Sequence, residues 1–162
     1  MVHDGGVSGT TLRPEPRVRR ARDDELATIL ALRFRVFCEE QGVPASLEHD
    51  AQDATAVHLV VDADGEVIGT CRLIGAGDRI RLGRMAVARE HRREGLGALL
   101  LAQAHEVARA SGAREVELHA QVAVRGFYER AGYVAEGEAF EEAGIAHVAM
   151  RRAVVGQALP GS

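Results

Sequence analysis

The residues best suited to chemistry are found at positions 92–97, which have the sequence RREGLG and stand directly before a long helical pattern. The first N–H groups of a helix lack partners within the helix, and the helix dipole makes that end positive. Gly95 and Gly97 allow an anion to approach the backbone, while Arg92 and Arg93 add positive charge. The pattern predicts a phosphate-binding site, and the plain alternative is a tight turn whose arginines are solvated.

Three known phosphate-binding motifs can be compared with this stretch. A P-loop requires G-x-x-x-x-G-K-[ST], which does not occur in the sequence. A dinucleotide fingerprint requires G-x-G-x-x-G, but Leu100 stands where the last glycine belongs, and the pattern contains a single β-α-β unit. The third pattern, [RQ]-x-x-G-x-[GA], is matched in full by Arg92, Gly95 and Gly97.

A polar loop predicted over residues 39–56 contains most of the remaining candidate ligands. Its acids are Glu39, Glu40, Glu48, Asp50 and Asp53. Such a loop either attracts a cation or is simply solvated. The set His49, Asp50, Asp53 and His58 also has metal-ligand side chains. Because its spacing follows neither a helix nor a turn, we predict no metal site.

The composition is that of one globular domain. Of the 162 residues, 46% are hydrophobic and 27% charged, and the net charge of −4 argues against nucleic acid as a partner. Cys38 and Cys71 lack metal-type spacing and fit a reducing cytoplasm, and no apolar run is long enough to span a membrane. We predict one domain over residues 17–153, between flexible tails at 1–16 and 154–162.

The elements that must position these residues follow the order β-α-loop-β-β-β-α-β-α-β-β. Alternating and helical patterns predict strands over 17–21, 79–87 and 114–120, a hairpin over 57–74 that turns at Asp64-Gly65, helices over 24–38, 96–110 and 124–131, and a strand pair over 133–140 and 145–152 around a turn at 141–144. Three antiparallel strands followed by a β-α-β crossover make the sheet mixed. The predicted class is α+β (an α/β mixed sheet), with helices on both faces.

Taken together, these motifs resemble the GCN5-related N-acetyltransferase (GNAT) family over about residues 17–153. Residues 82–101, LGRMAVAREHRREGLGALLL, resemble its fourth strand, loop and third helix. Phe127-Tyr128 and Gly132-Tyr133 match the aromatic-Tyr and Gly-aromatic pairs that follow its fifth strand. The segments LRFRVFCEEQGVP, GTCRLI and EEAGIAHVAM are similar to the ElaA-like branch.

The resemblance implies a site for acetyl-CoA. Backbone N–H groups of Arg93, Gly95, Leu96, Gly97 and Ala98 would hold the pyrophosphate, with charge from Arg92. The backbone of Met85, Ala86 and Val87 would pair with the pantetheine arm, where a bulge lets the fourth and fifth strands splay. Gln121 stands where many members carry asparagine, and it keeps the amide.

The implied reaction is direct attack of an amine on the thioester. Tyr128 matches the family's usual proton donor to the departing thiolate, although it also lies on an apolar helical stripe that would pack into the core. For a base the candidates are His147 first, then Glu117 and His119, with a base acting through water as an alternative. For the acceptor, Glu39, Glu48 and His119 are candidate ligands, and the acidic loop favours a cationic amine.

Two rival functions stay open from the sequence. One is an acyl-homoserine-lactone-type synthase, which shares this fold and resembles the front segment of the chain. The other is a non-catalytic module that binds acyl-CoA or a partner, because a fold does not guarantee an activity. Since domains of this family often dimerise, the resemblance also allows a homodimer.

Overall fold

A computed structural model describes residues 15–155 of the chain. Its sheet has seven strands in the spatial order β1-β2-β3-β4-β5-β7-β6. The strands are β1 (Arg17–Arg20), β2 (Val57–Ala63), β3 (Glu66–Ile74), β4 (Arg79–Val87), β5 (Glu115–Gln121), β6 (Val134–Glu142) and β7 (Ile145–Ala153). Only β4 and β5 run parallel, and every other neighbouring pair is antiparallel. The predicted mixed sheet and fold class are confirmed.

Four α-helices accompany the sheet. They are α1 (Leu26–Arg33), which continues as a π-helix over Phe34–Glu40, the short α2 (Ala45–Glu48), the long α3 (Leu96–Ala110) and α4 (Arg125–Arg130). Single 3-10 turns precede α1 and α4 and follow α2 and β4. None of the helices within residues 15–155 combines the length and the apolar character that a membrane crossing requires.

Side-chain alternation along β3 shows how the helices are arranged about the sheet. A Cβ on Gly69 would lie 3.4 Å from Leu100 of α3. Arg72 points to the opposite face. There it binds the carboxylate of Asp53, which is also bound by Arg33 of α1. Helices therefore cover both faces, as predicted.

The sheet opens between its two parallel strands. β4 and β5 pair only over their first residues, with the last pair at Arg81 and Glu117. Beyond that point, residues 82–87 of β4 have no ladder partner on the β5 side. On the β3 side, the register shifts by one residue at Arg84, whose φ of 52° marks a bulge. The bulge bends β4 away from β5 and creates the splay that the family resemblance implied.

Three predicted elements differ from those observed. The helix expected over 24–38 is a 3-10 turn, an α-helix and a π-helix in succession, ending at Glu40. The loop over 39–56 contains two short helical segments. The last hairpin turns at two residues, Ala143 and Gly144, instead of four, because both adopt the positive φ that a tight hairpin turn requires. Glu142 is consequently a strand residue.

The predicted tails are only partly covered by the structure. Residues 1–14 and 156–162 lie outside the described residues. Val154, which we assigned to the C-terminal tail, is buried, and its N–H donates to Arg114 O. The packed part of the chain therefore extends at least one residue beyond the predicted boundary.

Candidate active site

A cleft of about 690 Å³ lies in the splay between β4 and β5. Its lining comes from the diverging halves of these two strands, from residues 36–52, from α4 and its approach, and from the turn between β6 and β7. These elements are remote in sequence and meet because the sheet order places β7 beside β5. The cleft contains Met85, Ala86, Val87, Arg92, His119, Gln121, Tyr128 and His147 of the predicted site, together with Glu48.

The N-terminus of α3 lies just beyond the C-terminal end of β4. Gly95 occupies the N-cap with φ 78°, a left-handed conformation that favours glycine, and no side chain caps the helix. The first helical hydrogen bond runs from Leu99 N–H to Gly95 O at 3.2 Å. The N–H groups of Leu96, Gly97 and Ala98 therefore precede the helical ladder and point out of the helix end.

The two glycines of the motif serve different purposes in the structure. At Gly95 the backbone angle is decisive, and a Cβ there would meet nothing within 4 Å. At Gly97 space is decisive, because a Cβ would lie 3.2 Å from the ring of Phe127 and 3.8 Å from Met85 Sδ. Gly97 thus lets the start of α3 approach α4 and β4 closely, a role that the sequence analysis did not assign.

Arg92 is held by other residues of the chain. Its Nε donates to Val87 O, and its two terminal nitrogens donate to the Glu40 carboxylate at 2.7 and 2.9 Å. This hydrogen-bonded ion pair lowers the pKa of Glu40. The guanidinium therefore ties the π-helix to the end of β4, whereas we had expected it to contribute free positive charge.

Tyr128 of α4 reaches the edge of β4. It is 9% exposed, and its hydroxyl lies 3.9 Å from Met85 Sδ. Burial raises the pKa of Tyr128 to about 12, so the phenol keeps its proton at neutral pH. A buried, protonated hydroxyl that also lines the cleft is a competent proton donor, while its ring packs in the apolar core as the helical stripe predicted.

His147 and His119 lie on neighbouring strands at the other wall of the cleft. His147 of β7 pairs in register with Gln121 of β5, whose amide donates to Gln41 at 2.8 Å across the splay. His147 Nδ1 is 2.7 Å from Ile145 O. A carbonyl only accepts, so Nδ1 carries a hydrogen, and Nε2 is the acceptor of this tautomer.

The acids of the 39–56 segment are placed differently from our expectation. Glu39 is exposed and is not among the residues that line the cleft. Glu48 is 5% exposed and bound by Arg33, with Arg84 3.7 Å away. Glu48 is thus neutralised in place and Glu39 lies outside the cleft lining, so neither is placed to attract a cationic acceptor in the cleft.

Acids of this segment and arginines of neighbouring elements form one largely buried network. It consists of Arg33, Glu48, Asp50, Asp53, Arg72 and Arg84. Burial alone would raise the pKa of Asp53, but hydrogen bonds from Arg33 and Arg72 outweigh it and lower that pKa. The charges balance, three positive against three negative. Within residues 15–155, no group of histidines, cysteines and acids is arranged to hold a metal ion.

We expect Arg33→Met to destabilise the fold by about 3–5 kcal/mol, the usual cost of breaking a buried ion pair from one side. Arg33 is 1% exposed, and the change leaves Glu48 and Asp53 without their closest cation. Arg125→Ala is the control, since its pair with Glu129 is exposed and contributes about 0.5 kcal/mol. Urea unfolding measures both. Equal losses in the two variants would contradict a structural role for the network.

Several residues of the cleft escaped the sequence analysis. Glu142 was assigned to a turn, and its place on β6 became visible only with the two-residue turn at 143–144. Arg84 adopts a positive φ that its residue type does not suggest. Gln41 contacts Gln121, which is 80 positions away along the chain. A pattern search along the chain cannot find such contacts, because they depend on tertiary packing.

Comparison with known proteins agrees with this geometry. The sequence-family model of the acetyltransferase (GNAT) domain matches residues 20–154 of the chain. An uncharacterized N-acetyltransferase of Bacillus subtilis, YjcF, is 30% identical over 131 residues, which are 80% of this chain and 94% of the relative. An acyl-CoA N-acyltransferase from Pseudomonas aeruginosa superposes with a TM-score of 0.77 at 30% identity, covering 85% of this chain and 99% of that one. Escherichia coli ElaA superposes with a TM-score of 0.76 at 26% identity, covering 85% of this chain and 99% of ElaA.

Proposed function

The chain belongs to the GNAT acetyltransferase family, and we propose that it is an acetyl-CoA-dependent N-acetyltransferase that modifies a primary amine by direct attack on the thioester. The observation that supports this most strongly is the uncapped N-terminus of α3, which adjoins a cleft lined by an unpaired strand edge. The acyl-CoA chemistry named for the Pseudomonas aeruginosa relative agrees with it.

The residues present fit the parts of a CoA thioester. The N–H groups of residues 96–98 and the positive end of α3 suit a pyrophosphate. The edge of β4 at Met85, Ala86 and Val87 has no ladder partner on the β5 side and suits the amide groups of a pantetheine arm, which would pair like an added strand, while Val87 O already accepts from Arg92. Gln121 faces the same cleft. Bound acetyl-CoA would supply the activated acetyl group.

Tyr128 is the proposed general acid. Its hydroxyl lies beside Met85, within the splay where the thioester sulfur would be held. When the amine nitrogen bonds to the acetyl carbon and the C–S bond breaks, the sulfur leaves as a thiolate, and Tyr128 gives it a proton. The phenol is protonated at neutral pH and has this proton to give, and burial, which raises its pKa to about 12, makes it a weaker acid than an exposed tyrosine.

His147 is the proposed base. Its Nδ1–H donates to Ile145 O, which fixes the tautomer and leaves the lone pair of Nε2 available in the cleft. An amine that arrives as an ammonium ion must lose a proton before it can attack, and Nε2 accepts it. His119, the other histidine of the cleft, contacts Glu142.

The function is tested by measuring free CoA release from acetyl-CoA with a panel of amines and peptides. We expect release with at least one primary amine and an acetylated product by mass spectrometry. Longer acyl donors with S-adenosylmethionine test the lactone-synthase alternative in the same assay. Calorimetric binding of CoA without release with any acceptor would replace the enzyme by a non-catalytic CoA-binding module.

A further inference from the structure

We propose that Glu142 and His147 together bind the ammonium group of the acceptor, so that the enzyme selects cationic amines at this end of the cleft. The proposal rests on the proposed function for the chemistry that follows binding. It replaces the acidic 39–56 segment as the source of the preference for a cation.

Glu142 owes its position to the tight turn between the last two strands. It is the last residue of β6 and pairs with Ile145 across the turn at Ala143 and Gly144. Because side chains alternate along a strand, Glu142 shares a face with Phe140, which is paired with His147. This face lines the cleft, and Glu141 points to the other face.

The carboxylate of Glu142 lies between two imidazoles. His119 Nδ1 is 3.0 Å from Oε1, and since a carboxylate only accepts, His119 donates this hydrogen bond. His147 Nε2 is 3.7 Å from Oε2. His147 Nδ1 already donates to Ile145 O, so the neutral form of the ring can offer the carboxylate only an acceptor at Nε2. An ammonium N–H can donate to both acceptors at once, so the space between Nε2 and Oε2 suits a cationic amine.

The charge balance of the cleft favours the same position. The three acids that line it are Glu48, Asp50 and Glu142. Glu48 and Asp50 are bound by arginines. Within residues 15–155, the basic groups nearest the Glu142 carboxylate are two histidines, which neutralise it only when they are protonated. Glu142 therefore keeps negative charge for a ligand, whereas the other two acids are already neutralised within the fold.

Phe140 holds both imidazoles in place. Its ring meets His119 edge to face with centroids 5.0 Å apart, and it stacks on His147 at 6.2 Å. Fixed rings keep the 3.7 Å gap between Nε2 and the carboxylate open to a ligand, which reduces the ordering cost of binding.

Binding is tested with benzylammonium as the probe, followed through the imidazole NMR signals of His147 and His119. Benzyl alcohol is the neutral probe of similar shape. We expect saturable shifts with benzylammonium alone. Glu142→Gln should raise the Kd for benzylammonium by about 3- to 10-fold, because the carboxylate is half exposed and water screens its charge. Glu141→Gln, the same change on the opposite face, should leave the Kd unaltered. Equal binding of the alcohol, no saturable shift, or an unchanged Kd in Glu142→Gln would overturn the proposal.

Turnover separates this proposal from the proposed function. With the best amine of the release assay, Glu142→Gln should raise the KM for the amine by about the same factor and leave the KM for acetyl-CoA unchanged. One outcome is that no amine releases CoA while benzylammonium still gives a saturable shift of the His147 signal that Glu142→Gln weakens. In that case the enzyme assignment fails and the ammonium site stands. If amines turn over and Glu142→Gln behaves like Glu141→Gln, the ammonium site fails and the enzyme assignment stands.

Discussion

Tyr128→Phe should lower kcat by about 10²–10⁴-fold, the usual contribution of a general acid, while the melting temperature and the affinity for CoA change little. The change removes one oxygen and leaves the ring in its edge-to-face contacts with Phe127 and Tyr133. The hydroxyl has a weak sulfur acceptor, Met85 Sδ at 3.9 Å, so its removal costs the fold little. Steady-state kinetics and thermal unfolding measure the two effects.

Tyr133→Phe is the matched control, since Tyr128 and Tyr133 are the two tyrosines of the chain. Tyr133 is buried outside the cleft, where its hydroxyl lies 2.7 Å from His105 Nε2. Arg152 donates to the other ring nitrogen, so Nε2 carries the hydrogen and needs the tyrosine as its acceptor. Burial lowers the pKa of His105 to about 4, so the ring is neutral.

The control should show the opposite pattern. Tyr133→Phe leaves a buried N–H without a partner, which costs about 1–3 kcal/mol of stability, and kcat should stay within a few-fold of the parent. A loss of rate in Tyr128→Phe without loss of stability then identifies an acid. If the folded Tyr128→Phe protein kept full kcat, the hydroxyl would have no catalytic role, and catalysis would depend on positioning of the two substrates.

Gly97→Asp should abolish measurable CoA binding. Its carboxylate would stand at the second position of α3, beside the N–H groups that we propose to hold the pyrophosphate. Two like charges about 4 Å apart repel by about 4 kcal/mol at the effective dielectric of a protein surface, which is about 10³-fold in Kd. An acid in the first turn favours a helix, so this charge does not disfavour α3 itself. Isothermal titration calorimetry with CoA measures the loss.

Gly97→Ala separates charge from packing. Its Cβ meets the ring of Phe127 at 3.2 Å, as the Cβ of aspartate does, but it brings no charge. We expect the alanine variant to bind CoA more weakly than the parent because the start of α3 must shift, and far more tightly than the aspartate variant. Parent-like binding in Gly97→Asp would show that the pyrophosphate lies elsewhere, while equal losses in both variants would assign the effect to packing alone.

Local patterns in the sequence were sufficient for most of the strands and helices and for the glycine-rich N-terminus of α3. Hydrophobic periodicity and turn residues such as Asp64-Gly65 depend on neighbours along the chain, and the structure confirms the hairpin there. The left-handed N-cap at Gly95 follows from the same local rules. The family resemblance rested on the same stretches, which is why it agrees with the matched domain.

The ion-pair partners of the charged residues could not be predicted from such local patterns. Glu48 and Arg92 had the right residue types for substrate contacts, yet each is bound by a partner far along the chain. Glu142 lies at the cleft for two reasons. Two positive-φ residues shorten the last turn and make Glu142 a strand residue, and the pairing of β7 with β5 brings that end of the hairpin to the cleft. An ionic contact depends on which strands and loops meet in space. Periodicity along the chain does not show which strands and loops meet. The packing of the sheet and its loops therefore determined which side chains remain available to bind a substrate.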